Sequence, residues 1–191
     1  MDRVERIFRQ GGAVLEGHFL LTSGRHSPVY WEKMRVLQQP RLTTRLCRPI
    51  TYHFRDQGVE VVVGPTLGGV PLAFEVARQL GVRSAYADRE GEERTIRGGQ
   101  LLAPGEKALI IDDILTTGGS LRHMVDAVEK VGARVVGIAV IVDRRLGVDT
   151  QFTLGGTPVF ATHRSPAPSY PPEKCPLCKA SVPLEKLGGK K

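Results

Sequence analysis

The chain has 191 residues, a formal net charge of +7 and an apolar fraction of 41%, enough for one domain with a buried core. Its uncharged apolar runs are no longer than a buried strand, far short of the ~20 residues of a membrane span, and Met1-Asp2-Arg3-Val4-Glu5 is no signal peptide, so the expected compartment is the cytoplasm. The positive residues are scattered rather than gathered into one basic helix or arm, which argues against nucleic acid and suits a small polyanionic substrate.

Val4, Ile7 and Phe8 recur at helical spacing and predict a short packing helix over 2–10, closed by Gly11-Gly12. From Gly17 to Trp31, two strand-like runs flank a polar turn with Ser23-Gly24 and Ser27-Pro28. Leu42, Leu46, Ile50 and Phe54 mark a helical stripe over 40–54 that Pro49 is expected to kink or divide, with Cys47 as a small core residue beside it. Val59 to Val63 reads as a buried strand running into the glycine loop Gly64-Pro65-Thr66-Leu67-Gly68-Gly69-Val70. Ala73, Val76, Ala77 and Leu80 then predict a helix, and Val82 to Ala85 a strand. Between Tyr86 and Pro104 lies a charged, glycine-bearing segment longer than an ordinary connection, the composition of a lid, with Arg89, Arg94 and Arg97 as its cations.

The most informative stretch follows. Lys107 to Ile111 leads into Asp112-Asp113, then Ile114-Leu115, then Thr116-Thr117-Gly118-Gly119-Ser120 and an amphipathic run: a strand, a loop and a helix. The hydroxyls of Thr116, Thr117 and Ser120, with the freely turning backbone of Gly118 and Gly119 at a helix N-terminus, make a phosphate nest. Two carboxylates cannot serve the same phosphate, but as acceptors they suit the hydroxyls of a sugar attached to it. The chain has no Gly-Lys-Ser/Thr and no Gly-x-Gly-x-x-Gly, so neither a Walker loop nor a dinucleotide fold competes. Leu121, Met124, Val125, Val128 and Val131 line one face of the next helix, which ends near Gly132; His123 falls off that face and receives no role. Arg134 to Val142 is a buried strand ending in Asp143-Arg144-Arg145, a short strand pair is expected within 148–162, and a proline-rich tail follows from Ser165. Cys175 and Cys178 have the spacing of half a zinc knuckle; completing four ligands would take Cys47, a histidine or another subunit, and reduced thiols or a dimer bridge are the favoured readings, with a disulfide disfavoured in cytosol.

The 108–120 stretch resembles the phosphoribosyl pyrophosphate (PRPP) signature of type I phosphoribosyltransferases, and Phe19-Leu20-Leu21-Thr22-Ser23-Gly24-Arg25-His26-Ser27-Pro28 with Tyr30-Trp31 resembles the N-terminal hood of the orotate phosphoribosyltransferases among them. A tail similar to Pro172-Glu173-Lys174-Cys175-Pro176-Leu177-Cys178 also occurs in some orotate enzymes. The resemblance implies an α/β type I phosphoribosyltransferase fold, a central mostly parallel sheet flanked by helices with a small N-terminal hood. One domain over 1–163 is expected, with a hood at about 1–36 and a core at about 40–147, then a tail over 164–191. It implies transfer of ribose 5-phosphate from PRPP to orotate in UMP biosynthesis, with Mg²⁺ held through PRPP and water rather than directly by protein, and a homodimer whose lid acts across subunits. By position, Asp112, Asp113 and Arg94 would be catalytic; Thr116 to Ser120 would hold the 5′-phosphate; Thr66, Leu67, Gly68, Gly69, Arg89 and Arg97 would hold pyrophosphate; Tyr30, Trp31, Thr116 and Arg144 would hold orotate. Three departures stand out: Thr22 and Gly68 occupy places where orotate enzymes carry lysines, and the lid lacks the bacterial lysines and histidine. These leave two alternatives, a transferase for uracil or a purine, and a PRPP-sensing regulator on the same fold.

Overall fold

The chain was analysed as a computed structural model that describes residues 3–21, 23–91, 93–96, 102–146 and 152–187. Its centre is a seven-stranded sheet of β3 (Val61–Pro65), β4 (Arg83–Glu90), β5 (Glu93–Thr95), β6 (Lys107–Leu115), β7 (Arg134–Asp143), β8 (Thr153–Leu154) and β9 (Thr157–Arg164), in the order β5-β4-β3-β6-β7-β9-β8. The five inner strands are parallel, and β5 and β8 close the two edges as antiparallel hairpin partners. β1 (Val14–Leu20) and β2 (His26–Trp31) form a separate antiparallel hairpin, the expected hood.

Alternation along the buried strands sorts their side chains into two cores. Val62, Leu109, Ile111, Ala139 and Ile141 pack with α1 (Arg3–Gln10), α3 (Pro40–Phe54) and α4 (Gly69–Leu80) on one face, together with Trp31; Val61, Val63, Ile110, Ile138 and Val140 pack under α5 (Gly119–Lys130) on the other. Unbroken apolar strands are what a sheet covered on both sides requires. The helix over 40–54 is assigned as one element with Pro49 inside it, so the expected division does not occur: Leu46, Cys47, Ile50 and Phe54 are all buried on one side, and that packing holds the helix through the proline. A short α2 (Met34–Leu37) links the hairpin to α3.

The charged segment after Tyr86 is not loop throughout. β4 runs on to Glu90 and turns at Gly91 (φ 62°) into β5, pairing Asp88 with Thr95 and Arg89 with Arg94. Arg97 and the 97–101 stretch lie outside the described residues, as do Thr22 and 147–151.

The tail does not run off into solvent. Residues 165–187 return to the hairpin, where Tyr170 pairs with His26 through two backbone hydrogen bonds of 2.8 Å and Glu185 bridges to Phe19. A 3₁₀ turn (Pro172–Lys174) and α6 (Pro176–Lys179) lie between those contacts. No helix among the described residues is long and apolar enough to cross a membrane.

Candidate active site

The ends of β3, β6 and β7 place three loops side by side at the carboxyl edge of the sheet, where open α/β sheets bind ligands. The β6 loop, Thr116-Thr117-Gly118, enters α5 with Gly118 in the left-handed region (φ 87°), a conformation for which glycine carries no steric cost. The turn exposes Thr116, Thr117, Gly119 and Ser120 while the first amides of a twelve-residue helix remain without intrahelical partners, so hydroxyls and N–H groups converge on one place.

Asp112 and Asp113 are both nearly buried, at 7% and 6% exposure. As neighbours on a strand they point to opposite faces. Asp112 Oδ1 accepts the Asp113 N–H at 2.8 Å and Oδ2 accepts the Ser120 hydroxyl at 3.2 Å. Burial, reinforced by the charge of Asp113, pushes the Asp112 carboxyl well above the ordinary carboxylate range. Asp113 faces the hood, where Lys33 grips both its oxygens: Nζ lies 2.7 Å from Oδ2 and 2.9 Å from Oδ1. Burial pulls the Lys33 ammonium down, but the charge and hydrogen bond of Asp113 outweigh it and the group stays firmly cationic.

Lys33 is the functional residue that sequence reasoning missed. Its signal was faint, a lysine two residues after the aromatic pair. A side chain at Gly68 would collide with Asp113 Oδ2 and would sit 3.5 Å from Lys33 Cε. A side chain on the glycine loop at position 68 would therefore have to displace the Asp113 carboxylate from its place beside Lys33.

Two adjoining cavities meet at Thr116 and Arg144. The smaller, about 150 Å³, is lined by Leu21, Ser23, Tyr30, Trp31, Lys33, Asp113, Ile114, Thr116 and Arg144. The larger, about 430 Å³, is lined by Leu21, Ser23, Arg25, Thr116, Thr117, Arg144, Arg145 and Leu146, with Ala167 and Ser169 from the tail as its far wall. Tyr30 and Trp31 do not present equivalent faces, because strand neighbours alternate. Tyr30 is half-buried, its hydroxyl raised by burial and by Glu32, whereas Trp31 is buried edge-on to Phe8 with ring centroids 4.8 Å apart.

Arg144 and Arg145 divide the work at the end of β7. Arg145 takes Asp143 through bonds of 2.8 and 3.0 Å and lies 3.7 Å over the Phe152 ring. Arg144 turns toward the hood, donating from Nη2 to Ser27 Oγ (3.2 Å) and to the Val29 carbonyl (3.1 Å), while its buried Nε has no hydrogen-bond partner among the described residues. A buried guanidinium with donor capacity left over, at the seam of two cavities, is equipped to hold an anion.

In the β3 loop, Thr66 donates its N–H to Ala87 and Leu67 is exposed; the Thr66–Leu67 peptide is cis. Arg94 reaches across from β5 and donates to both the carbonyl and the hydroxyl of Thr66 at 3.2 Å, which brings that lid cation onto the loop within one chain. Burial lowers its pKa somewhat, against the opposing charge of Asp112. Arg89, the register partner of Arg94, donates to the Gly91 carbonyl at 2.9 Å.

The arrangement has counterparts among known proteins. Residues 36–150 match the model of the phosphoribosyl transferase domain family. The orotate phosphoribosyltransferase of Pelotomaculum thermopropionicum is 44% identical over 195 aligned positions, covering 100% of this chain and 98% of that protein. Among solved structures, orotate phosphoribosyltransferase from Aeropyrum pernix superposes with a TM-score of 0.70 at 26% identity, covering 84% of this chain and 93% of the other. The Mycobacterium tuberculosis orotate phosphoribosyltransferase gives 0.68 at 28%, covering 86% and 97%.

Proposed function

The chain belongs to the phosphoribosyltransferase family, among its orotate phosphoribosyltransferases, and on that premise we propose that it transfers the ribose 5-phosphate group of PRPP to orotate, releasing pyrophosphate and forming orotidine 5′-monophosphate for pyrimidine biosynthesis. The observation that carries the reading is the meeting of an anion nest, an acid–lysine pair and a partly unpartnered arginine around two adjoining cavities.

In this reading the 116–120 turn holds the 5′-phosphate on amides and hydroxyls. Ser120 now donates over a long 3.2 Å to Asp112, and the phosphate competes for that hydroxyl. Asp113 accepts a ribose hydroxyl while Lys33, bonded to both its oxygens, keeps it aimed. Tyr30 offers its ring to the base and Arg144 takes the orotate carboxylate, a planar fork matched to a planar anion. Arg94 and the Thr66–Gly69 loop receive the departing pyrophosphate. Bond breaking leaves positive character on the ribose and negative charge on the leaving group, so fixed charges close to each lower the barrier.

The chemistry Mg²⁺ supplies when bound is neutralisation of the pyrophosphate oxygens. The hard carboxylate oxygens of Asp112 and Asp113 suit that ion, and their existing bonds to Ser120 and Lys33 favour contact through water or substrate over direct ligation. Its three free cysteines suit a reducing cytoplasm. A second copy of the chain is the partner the resemblance implies, and the apolar groove of Leu37, Pro40, Val70, Pro71 and exposed Phe74 supports it. Light scattering on the purified protein tests this, and a fully active monomer would remove it.

The activity itself is tested by following base consumption with PRPP and Mg²⁺, offering orotate, uracil, adenine and hypoxanthine in turn. Orotate alone should be consumed. Faster turnover of uracil or a purine overturns the assignment, and no turnover of any base favours a PRPP-sensing role.

A further inference from the structure

The fold brings together four side chains from distant parts of the sequence, Cys178 lying 152 positions from His26 and Cys175 157 from His18. His18 lies near the end of β1 and His26 at the start of β2. Because Leu20 is the register partner of His26, His18 sits diagonally across on the same face of the hairpin. Against that face the tail sets Cys175, at the N-cap of α6, and Cys178 within it. Their ligand atoms all lie within 4.8 Å of one another. His18 Nε2 is 2.9 Å from His26 Nδ1, 3.5 Å from Cys175 Sγ and 3.7 Å from Cys178 Sγ, and Cys178 Sγ is 3.2 Å from His26 Nδ1.

We propose that His18, His26, Cys175 and Cys178 form a tetrahedral zinc site that fastens the C-terminal segment to the N-terminal hairpin. Zinc–nitrogen and zinc–sulfur bonds of about 2.0 and 2.3 Å around a tetrahedron set ligand–ligand edges of about 3.3 to 3.8 Å, and the observed separations fall around that range. The chemistry matches as well as the size. Two thiolates and two imidazoles are the soft, borderline donor set that selects zinc over the oxygen-seeking Mg²⁺ of the active site.

The surroundings prepare one ligand for this task. His18 Nδ1 lies 2.8 Å from the Val182 carbonyl, which can only accept, so the proton sits on Nδ1 and the Nε2 lone pair faces the cluster. A carbonyl behind a histidine ligand is the usual device for fixing its tautomer. Three of the four residues are buried, with Cys178 at the outer edge where an ion can enter. The rival arrangement, a plain His18–His26 hydrogen bond beside two idle thiols, leaves the convergence of both sulfurs on the same nitrogens without purpose.

The clamp also has a place in the working of the enzyme. Between β9 and the cysteines, the tail donates Ala167 and Ser169 to the wall of the larger cavity, and Arg25 binds the Ser169 hydroxyl at 2.9 Å. A metal at the far side of the hairpin holds that wall in position without touching substrate.

The test uses the full-length chain without a polyhistidine tag. Metal analysis of the protein as purified should find about one zinc per chain, falling to background in Cys178→Ser and His18→Ala and unchanged in Cys47→Ser. Titrating metal-stripped wild-type protein with cobalt(II) should produce thiolate charge-transfer absorption and the strong visible bands of a tetrahedral site, with one equivalent at saturation. Stripping should lower the melting temperature and zinc should restore it. A stripped protein that yields only weak octahedral cobalt bands overturns the proposal, as does a Cys175–Cys178 disulfide found by mass spectrometry in protein purified under reducing conditions. The cobalt titration needs no variant, so it decides even where a substitution prevents folding, and none of these readouts depends on turnover.

Discussion

Two neighbouring carboxylates on one strand look equivalent in a string of letters, and the alternation of the strand makes them different: Asp112 is turned inward onto a backbone amide and Ser120, and Asp113 toward the cavity and Lys33. Asp113→Asn removes the proposed ribose acceptor and leaves Lys33 without its counter-ion. It is expected to lower kcat/KM by about 10²–10³-fold, in the range of losing one preorganised charged partner, with an unchanged circular dichroism spectrum. Lys33→Met withdraws a cation that favours the ionised form of Asp112, so the acid limb of the kcat/KM profile should move to higher pH; an unmoved limb would show that Lys33 does not influence the ionisation of Asp112. For Asp112 the sign runs the other way in stability. The folded state holds its proton more tightly than the unfolded chain does, so its contribution is fully present below the ordinary carboxylate pKa and is lost as pH rises through the raised folded value. The melting temperature of Asp112→Asn should show less decline over that window than wild type. The strand-to-helix turn at 116–120 was readable in the sequence because an apolar run followed by hydroxyl residues and glycines marks where a helix starts. Lys33 was not, because what singles it out is a partner 80 positions away.

At the scale of elements, hydrophobic spacing located the strands and helices of the parallel core, where period and burial coincide, and went astray where packing overrode local propensity. Pro49 is the clearest instance, for it does not divide the 40–54 helix, whose apolar stripe is buried on both sides of the proline. The lid is the other, its expected loop containing a β-hairpin that turns at Gly91 and carries Arg94 to Thr66. On α4, Glu75 joins Arg78 (2.8 and 3.0 Å) and Gln79 (2.6 Å). Hydrogen bonding from Arg78 foremost lowers its carboxyl from 4.5 to about 2. A depressed value means stability present above the ordinary pKa and lost as pH falls through the folded one, so Glu75→Gln should flatten the drop in melting temperature between those two limits. Equal slopes for variant and wild type would sink the assignment.

For the whole molecule, the order of α and β segments was enough to read a parallel sheet with ligand loops at one edge, whereas the path of the tail was not, since its prolines and turns carry no period. Its return to the hairpin rests on contacts such as Tyr170 with His26 and Arg25 with Ser169. A chain ending at Arg164 therefore loses one wall of the larger cavity as well as the cover of the hood. It should show a raised KM for substrate and a lower melting temperature, measured by steady-state kinetics and thermal unfolding; unchanged kinetics would mean that the wall is dispensable.

That same seam joins residues far apart along the chain, Phe19 to Glu185 and His26 to Tyr170. Contacts so distant in sequence come late in folding, so the sheet, whose strands follow one another through shorter connections, is expected to form before the hairpin gains its cover. In refolding followed by hydrogen exchange, the amides of the parallel core should accordingly gain protection before those of His26 and Tyr170.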